Sequence, residues 1–149
     1  KNGPAEFPAA YEEVVAVSAL GKLGEGSELA RAEAYVARGE PFDEREGFYP
    51  ADFSCHGPEV TCIAPGVDII STVPSSTGDP CEFAPISGTS MATPIASGAL
   101  AILLARDRLY LEMGPTRKRA EYAIEVLLRS CRDLGFSKDR QGAGLPVAT

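Results

Sequence analysis

Gly88-Thr89-Ser90-Met91-Ala92-Thr93-Pro94 reads as a tight turn opening into a helix, with a serine held at the helix entrance. The glycine permits a sharp backbone turn, and threonine is a good N-cap residue. Ser90 then falls in the first turn, where unpaired backbone N–H groups and the helix dipole favour negative charge. A serine hydrolase needs such a place for the oxyanion of its tetrahedral intermediate. With Thr89 as cap, Pro94 lies early in the helix, and its missing N–H leaves the Ser90 carbonyl without its usual donor. The helix runs on through Ile95-Ala96-Ser97-Gly98-Ala99-Leu100-Ala101-Ile102-Leu103-Leu104-Ala105, small and apolar all round, the pattern of a helix buried in a core. A serine that merely caps a helix would leave the same local trace, so this stretch alone does not separate nucleophile from cap.

Outward from that helix, short apolar runs alternate with helical patterns. Val14 to Ala19 and Val60 to Ala64 read as buried strands, and Asp68 to Val73 with Glu82 to Ile86 as a hairpin around the turn-rich Pro74 to Pro80. Ser27 to Arg38 fits a short amphipathic helix, and an acidic loop follows from Gly39 to Pro50. After the Gly114-Pro115 break, Thr116 is expected to cap a last helix reaching about Leu134, with Ala120, Ile124, Leu127, Leu128 and Cys131 as its apolar stripe. This alternation predicts an α/β layered domain whose function sits near the carboxyl ends of parallel strands.

Composition narrows the function classes. A net charge of −7 disfavours nucleic acid and anionic lipid as partners. The longest apolar run, Ile95 to Ala105, falls short of the ~20 residues that cross a bilayer, so no membrane partner is expected. The four cysteines, Cys55, Cys62, Cys81 and Cys131, include no CxxC pair, and with one histidine they make a poor zinc set. Cys131 reads as a buried free thiol on its helix; Cys55 with Cys62 is the first pair to expect if the protein is exported. The lone histidine, His56, reads as a surface turn residue rather than a base, and Asp52, Asp68 and Asp79 as solvated turn carboxylates.

Four segments in order resemble the subtilisin-like serine peptidases (subtilases). The Gly88 to Pro94 heptapeptide is similar to their serine motif, and Tyr11 to Ala19 to their YPxVIAVGA strand. Phe53-Ser54-Cys55-His56-Gly57-Pro58 with Ile63-Ala64-Pro65-Gly66-Val67-Asp68-Ile69 resembles SFSxxGP…xAPGxxI, and Gly142 to Ala148 resembles the closing GxGxVNA. Together they favour the nucleophile reading of Ser90. The resemblance implies the C-terminal half of a doubly wound parallel-sheet domain spanning residues 1–149, with about residues 22–50 as an insertion. Triad aspartate and histidine would lie in D-[ST]-G and H-G-[TS] contexts upstream; neither occurs here, and a chain opening at Lys1 is expected to be part of a longer protein.

The resemblance further implies a serine endopeptidase acting on peptide or protein substrates through an acyl-enzyme, and it favours export without fixing the compartment. This chain would carry the nucleophile Ser90, need the missing N-terminal half as its partner, and be inactive alone. Lys1-Asn2-Gly3-Pro4 resembles the tail of the family's G-N-x-G segment, which makes Asn2 the expected oxyanion amide, with Lys1 at that position if the usual spacing is kept. Aligning Phe7-Pro8-Ala9-Ala10-Tyr11 with the family's YPxxY puts Glu6 at the base of the primary specificity pocket, where a solvated loop carboxylate is the competing reading. Ile95 replaces a structural histidine of the family. Thr61 stands where an acidic cation ligand is common, so no metal and no cofactor are expected. A catalytically inactive binding or structural module, and a transamidase that cyclises peptides, are the alternatives.

Overall fold

The computed structural model describes residues 3–23, 46–75 and 82–148. The expected helix at Ser27 to Arg38, most of the acidic loop, the hairpin tip, Asp79 and Cys81 lie outside the described residues.

Strand β1, Ala16–Lys22, is the middle of a three-stranded sheet. It runs parallel to β3, Val60–Pro65, and antiparallel to β2, Phe48–Pro50. β1 starts later and ends later than the apolar run suggests. Val14 is tied back into a turn by its amide to the Tyr11 carbonyl at 3.0 Å, and Leu20, Gly21 and Lys22 pair with Pro50, Tyr49 and Phe48. Residues expected to end a loop therefore form β2. Strands β4, Ile69–Val73, and β5, Glu82–Ile86, form the expected antiparallel hairpin.

Alternation along β1 and β3 sends side chains to two covered faces. Ala19, Cys62 and Ala64 point to one, where they pack with Ala92 and Ala96 of helix α1, Thr89–Arg106, and Leu127 of a later helix. Leu20 and Ile63 point to the other, against Phe136 near the carboxyl terminus. Burying a side chain such as Leu20, Ile63 or Leu127 contributes about 1.5–3 kcal/mol. Both faces are therefore covered, as a doubly wound sheet requires.

Asp107 separates α1 from a one-turn helix α2, Arg108–Glu112, accepting from the Tyr110 amide at 2.8 Å and the Tyr122 hydroxyl at 2.9 Å. Those donors hold its carboxyl below the usual range, the Tyr110 amide foremost. Helix α3, Arg117–Ser130, starts after Thr116, which caps it by position without a side-chain bond. It stops short of Leu134 because Cys131–Arg132 turn into strand β6, paired with β7, Leu145–Pro146. Of the expected stripe Leu127 alone is buried, and Leu128 faces solvent. Between β6 and β7 lies α4, Lys138–Gln141. There the fully buried Gln141 amide accepts from Leu134 N at 2.9 Å and donates to Asp133 Oδ1 at 2.8 Å and the Phe136 carbonyl at 2.6 Å.

Helix α1 departs most from expectation. Its sequence is apolar all round, yet only Ala92, Ala96 and Leu104 are buried, and Ile102 is half exposed. One face packs on the sheet and α3; the opposite face is uncovered among the described residues. By length and composition alone α1 would also suit a membrane span; here Ala92 and Ala96 pack it against the sheet.

Candidate active site

The serine turn is stitched to the carboxyl end of the parallel pair. Gly66, just past β3, donates its N–H to the Leu20 carbonyl at 2.9 Å, and its own carbonyl accepts from Gly88 N at 2.7 Å. A Cβ at Gly66 would sit 2.8 Å from Ala19 Cβ, 2.9 Å from the Gly88 carbonyl oxygen and 3.2 Å from Ala92 Cβ. Strand end and helix start thus touch only because residue 66 has no side chain and its neighbours are alanines.

Gly88 occupies the N-cap position and Thr89 is the first helical residue, which corrects the expectation that Thr89 caps. No side chain caps this end; the amides of Met91 and Ala92 turn back to the Gly88 carbonyl at 3.0 and 3.3 Å. The Thr89 and Ser90 amides are left without an intrahelical acceptor. Pro94 withholds the donor that the Ser90 carbonyl would meet in a regular helix. Thr93 and Ser97 spend their hydroxyls on the carbonyls four residues back, at 2.9 and 3.0 Å. Ser90 is exposed, and its hydroxyl makes no hydrogen bond among the described residues. A capping serine would accept from an amide two or three residues on, and Ser90 makes no such bond.

Beside Thr89 opens a cleft of about 280 Å³, walled by the loop from Ala5 to Ala9, the start of β1, the turn at Phe53 and Val60. Glu6 is exposed on that loop and is the one charged residue lining the cleft among the described residues. Asn2 lies outside the described residues. The segment that would carry it enters at Gly3, whose carbonyl accepts from His56 N at 2.9 Å, and Pro4 bridges His56 in parallel. His56 is accordingly half-buried rather than a surface residue. Among the described residues its buried Nδ1 has no hydrogen-bond partner, Ser90 included.

Asp68 adopts a left-handed backbone (φ 52°) and donates its N–H to Ser87 Oγ at 3.0 Å, which fits a turn role. No bridge joins Cys55 to Cys62: Cys62 is fully buried in β3, whereas Cys55 is half-buried in the irregular stretch that precedes β3. Burial pushes the Cys62 thiol up to about 12, with a smaller contribution from Cys131, and burial likewise lifts Cys131 to about 11. Cys131 is half-buried and donates to the Leu127 carbonyl at 3.3 Å. No cluster of three or more metal-ligating side chains occurs among the described residues. Sequence reasoning passed over Gly66 as a site-building residue, although the Ala64-Pro65-Gly66 stretch was legible; the signal lay in a contact with residues distant in sequence.

The chain as a whole matches a known family. The model of the subtilase family matches residues 1–144, and the chain belongs to that family. Halolysin of Haloferax mediterranei is 34% identical over 138 residues, which is 93% of this chain and 20% of halolysin. The major intracellular serine protease of Bacillus subtilis is 30% identical over 144 residues, 96% of this chain and 35% of that protein. Among solved structures, fervidolysin from Fervidobacterium pennivorans, a keratinolytic enzyme related to subtilisin, superposes with a TM-score of 0.62 at 25% identity, covering 94% of this chain and 19% of its own. The prenylagaramide maturation protease PagA gives 0.57 at 26%, with 95% and 42% covered. The chain thus spans about a third or less of the curated relatives it matches here.

Proposed function

We propose that this chain is the nucleophile-bearing half of a serine endopeptidase domain, completed by a preceding half that supplies the histidine and aspartate. The observation that carries the reading is Ser90: an exposed, unbonded hydroxyl in the first turn of α1, at the carboxyl end of a parallel strand and beside a cleft. In the complete domain the histidine takes the Ser90 proton as Oγ attacks the peptide carbonyl. The Ser90 N–H, free of an intrahelical acceptor, and the Asn2 side-chain amide hold the oxyanion; the acyl-enzyme then yields to water. Alone, the chain offers no base to Ser90 and is inactive.

Two observations support the preceding half as partner. The relatives are several times longer than the matched stretch, and α1 is apolar on a face that nothing among the described residues covers. An apolar helix surface of that kind is buried when its domain is complete. Casein hydrolysis by the full-length protein and by its Ser90→Ala variant tests the reading. Activity is expected in the first and absent in the second; undiminished hydrolysis by Ser90→Ala refutes it.

A further inference from the structure

The β4–β5 hairpin continues one step beyond its last backbone pair. Ile69 and Ile86 are the pair nearest the serine turn, so Asp68 and Ser87 are the next residues to face each other. Asp68 is left-handed there (φ 52°), which takes its N–H out of the strand alignment, and the Ser87 hydroxyl oxygen accepts it at 3.0 Å. The side chain thus stands in for a ladder carbonyl and leaves the Ser87 backbone to turn away into Gly88. Gly88 in turn gives its N–H to the Gly66 carbonyl at 2.7 Å. Between hairpin and nucleophile the chain is therefore tied twice to the stretch from Gly66 to Asp68, once through a backbone amide and once through a side chain. Thr93 and Ser97, by contrast, turn their hydroxyls onto their own helix.

We infer that Ser87 is a positioning residue for the nucleophile: by accepting the Asp68 amide it fixes where the serine turn leaves the hairpin, and with it the place of Ser90. The inference rests on the endopeptidase reading of Ser90. Only Gly88 and Thr89 stand between the two serines, and a glycine gives the backbone no stiffness of its own. A side-chain hydrogen bond from the residue ahead limits the rotations that Gly88 would otherwise allow. Without the Ser87 hydroxyl the Asp68 N–H loses its acceptor, and the turn is left with the Gly88–Gly66 bond. A displacement of ~1 Å costs on the order of 100-fold in rate; a turn still held by one of its two ties moves less, and the loss is about tenfold. The Asp68 carboxylate takes no part in this tie, because the donor is the main-chain amide.

The test uses the full-length protein and measures, well below the Tm of each variant, the rate at which a plain alkyl fluorophosphonate labels Ser90, together with kcat and KM on casein. Ser87→Ala is expected to lower the labelling rate and kcat about tenfold, with KM within about twofold. Ser87→Thr, which keeps an acceptor oxygen, is expected to hold the rates of the unaltered protein. So is Asp68→Gly, since glycine adopts φ 52° without strain and keeps the amide. Ser87→Thr as slow as Ser87→Ala overturns the inference, as does a loss in Asp68→Gly equal to that in Ser87→Ala. A lower Tm in Ser87→Ala with an unchanged labelling rate makes the hydroxyl a matter of stability and overturns it too, while the endopeptidase reading stands. If Ser90 of the unaltered protein is not labelled, both fall.

Discussion

Replacing Gly66 with alanine should disturb the nucleophile without touching it. The added methyl would meet Ala19 Cβ at 2.8 Å, the Gly88 carbonyl oxygen at 2.9 Å and Ala92 Cβ at 3.2 Å. Comfortable carbon contacts begin near ~3.5 Å, so the wall must open by ~0.7 Å. Ala19 is fixed in the central strand, paired with Ala64 on one side and accepting from Ala51 N at 2.9 Å on the other. Relief must therefore come from Gly88 and Ala92, the start of α1, and Ser90 lies between them. Overpacking of this kind costs about 1–3 kcal/mol, equivalent to a fall of roughly 2–12 °C in Tm for a domain of this size or somewhat larger. A nucleophile displaced by ~1 Å loses on the order of 100-fold in rate. Both effects are measurable in the full-length protein, by calorimetry and by the rate of fluorophosphonate labelling. If Gly66→Ala leaves the labelling rate within about twofold and Tm within about 1 °C, the close approach does not set the position of Ser90.

Gly98, on α1, has no atom within 4 Å of an added Cβ, and helix propensity alone would make alanine there better by about 0.5–1 kcal/mol. In the complete domain Gly98→Ala is nevertheless expected to lower Tm, because the preceding half packs on that face; a higher Tm would mean the face stays open. Cys62 and Cys131, whose thiols burial holds up to about 12 and about 11 against an ordinary 9.0, should resist a disulfide reagent at pH 8 until the protein is unfolded. Their protonated forms are favoured by the fold, so the stability they contribute is whole below pH ~9 and lost as pH climbs to 11–12. Urea melts across that range check the sign, and rapid labelling of Cys62 in the native protein would contradict its burial.

The sequence carried most of the architecture where local pattern and tertiary role coincide. β3 and the β4–β5 hairpin lie where short apolar runs between turn residues placed them. Elements made by long-range pairing were hidden. β2 exists because Phe48–Pro50 align with Leu20 to Lys22, and β6 ends α3 because Cys131–Arg132 find Leu145–Pro146; neither pairing has a local signature. The apolar circumference of α1 marked a helix but not its burial: among the described residues only Ala92, Ala96 and Leu104 of it are buried, because an all-round apolar pattern does not say which face meets the sheet. At the site, the serine turn was legible because glycine, hydroxyl residues and an apolar run stand side by side. The cap was misplaced by one residue because threonine's N-cap preference is weak beside the Gly88–Gly66 hydrogen bond that fixes where the helix begins. The free Cys62 was missed since cysteine spacing says nothing of which side chain a strand turns inward.

Site-resolved fluorophosphonate labelling of the full-length protein, read by mass spectrometry, tests the central claim most directly. Stoichiometric modification of Ser90, lost in Ser90→Ala and slow in the isolated 149-residue chain, is the expected result. Modification of another residue, or none while the protein still cleaves peptides, would contradict Ser90 as the nucleophile.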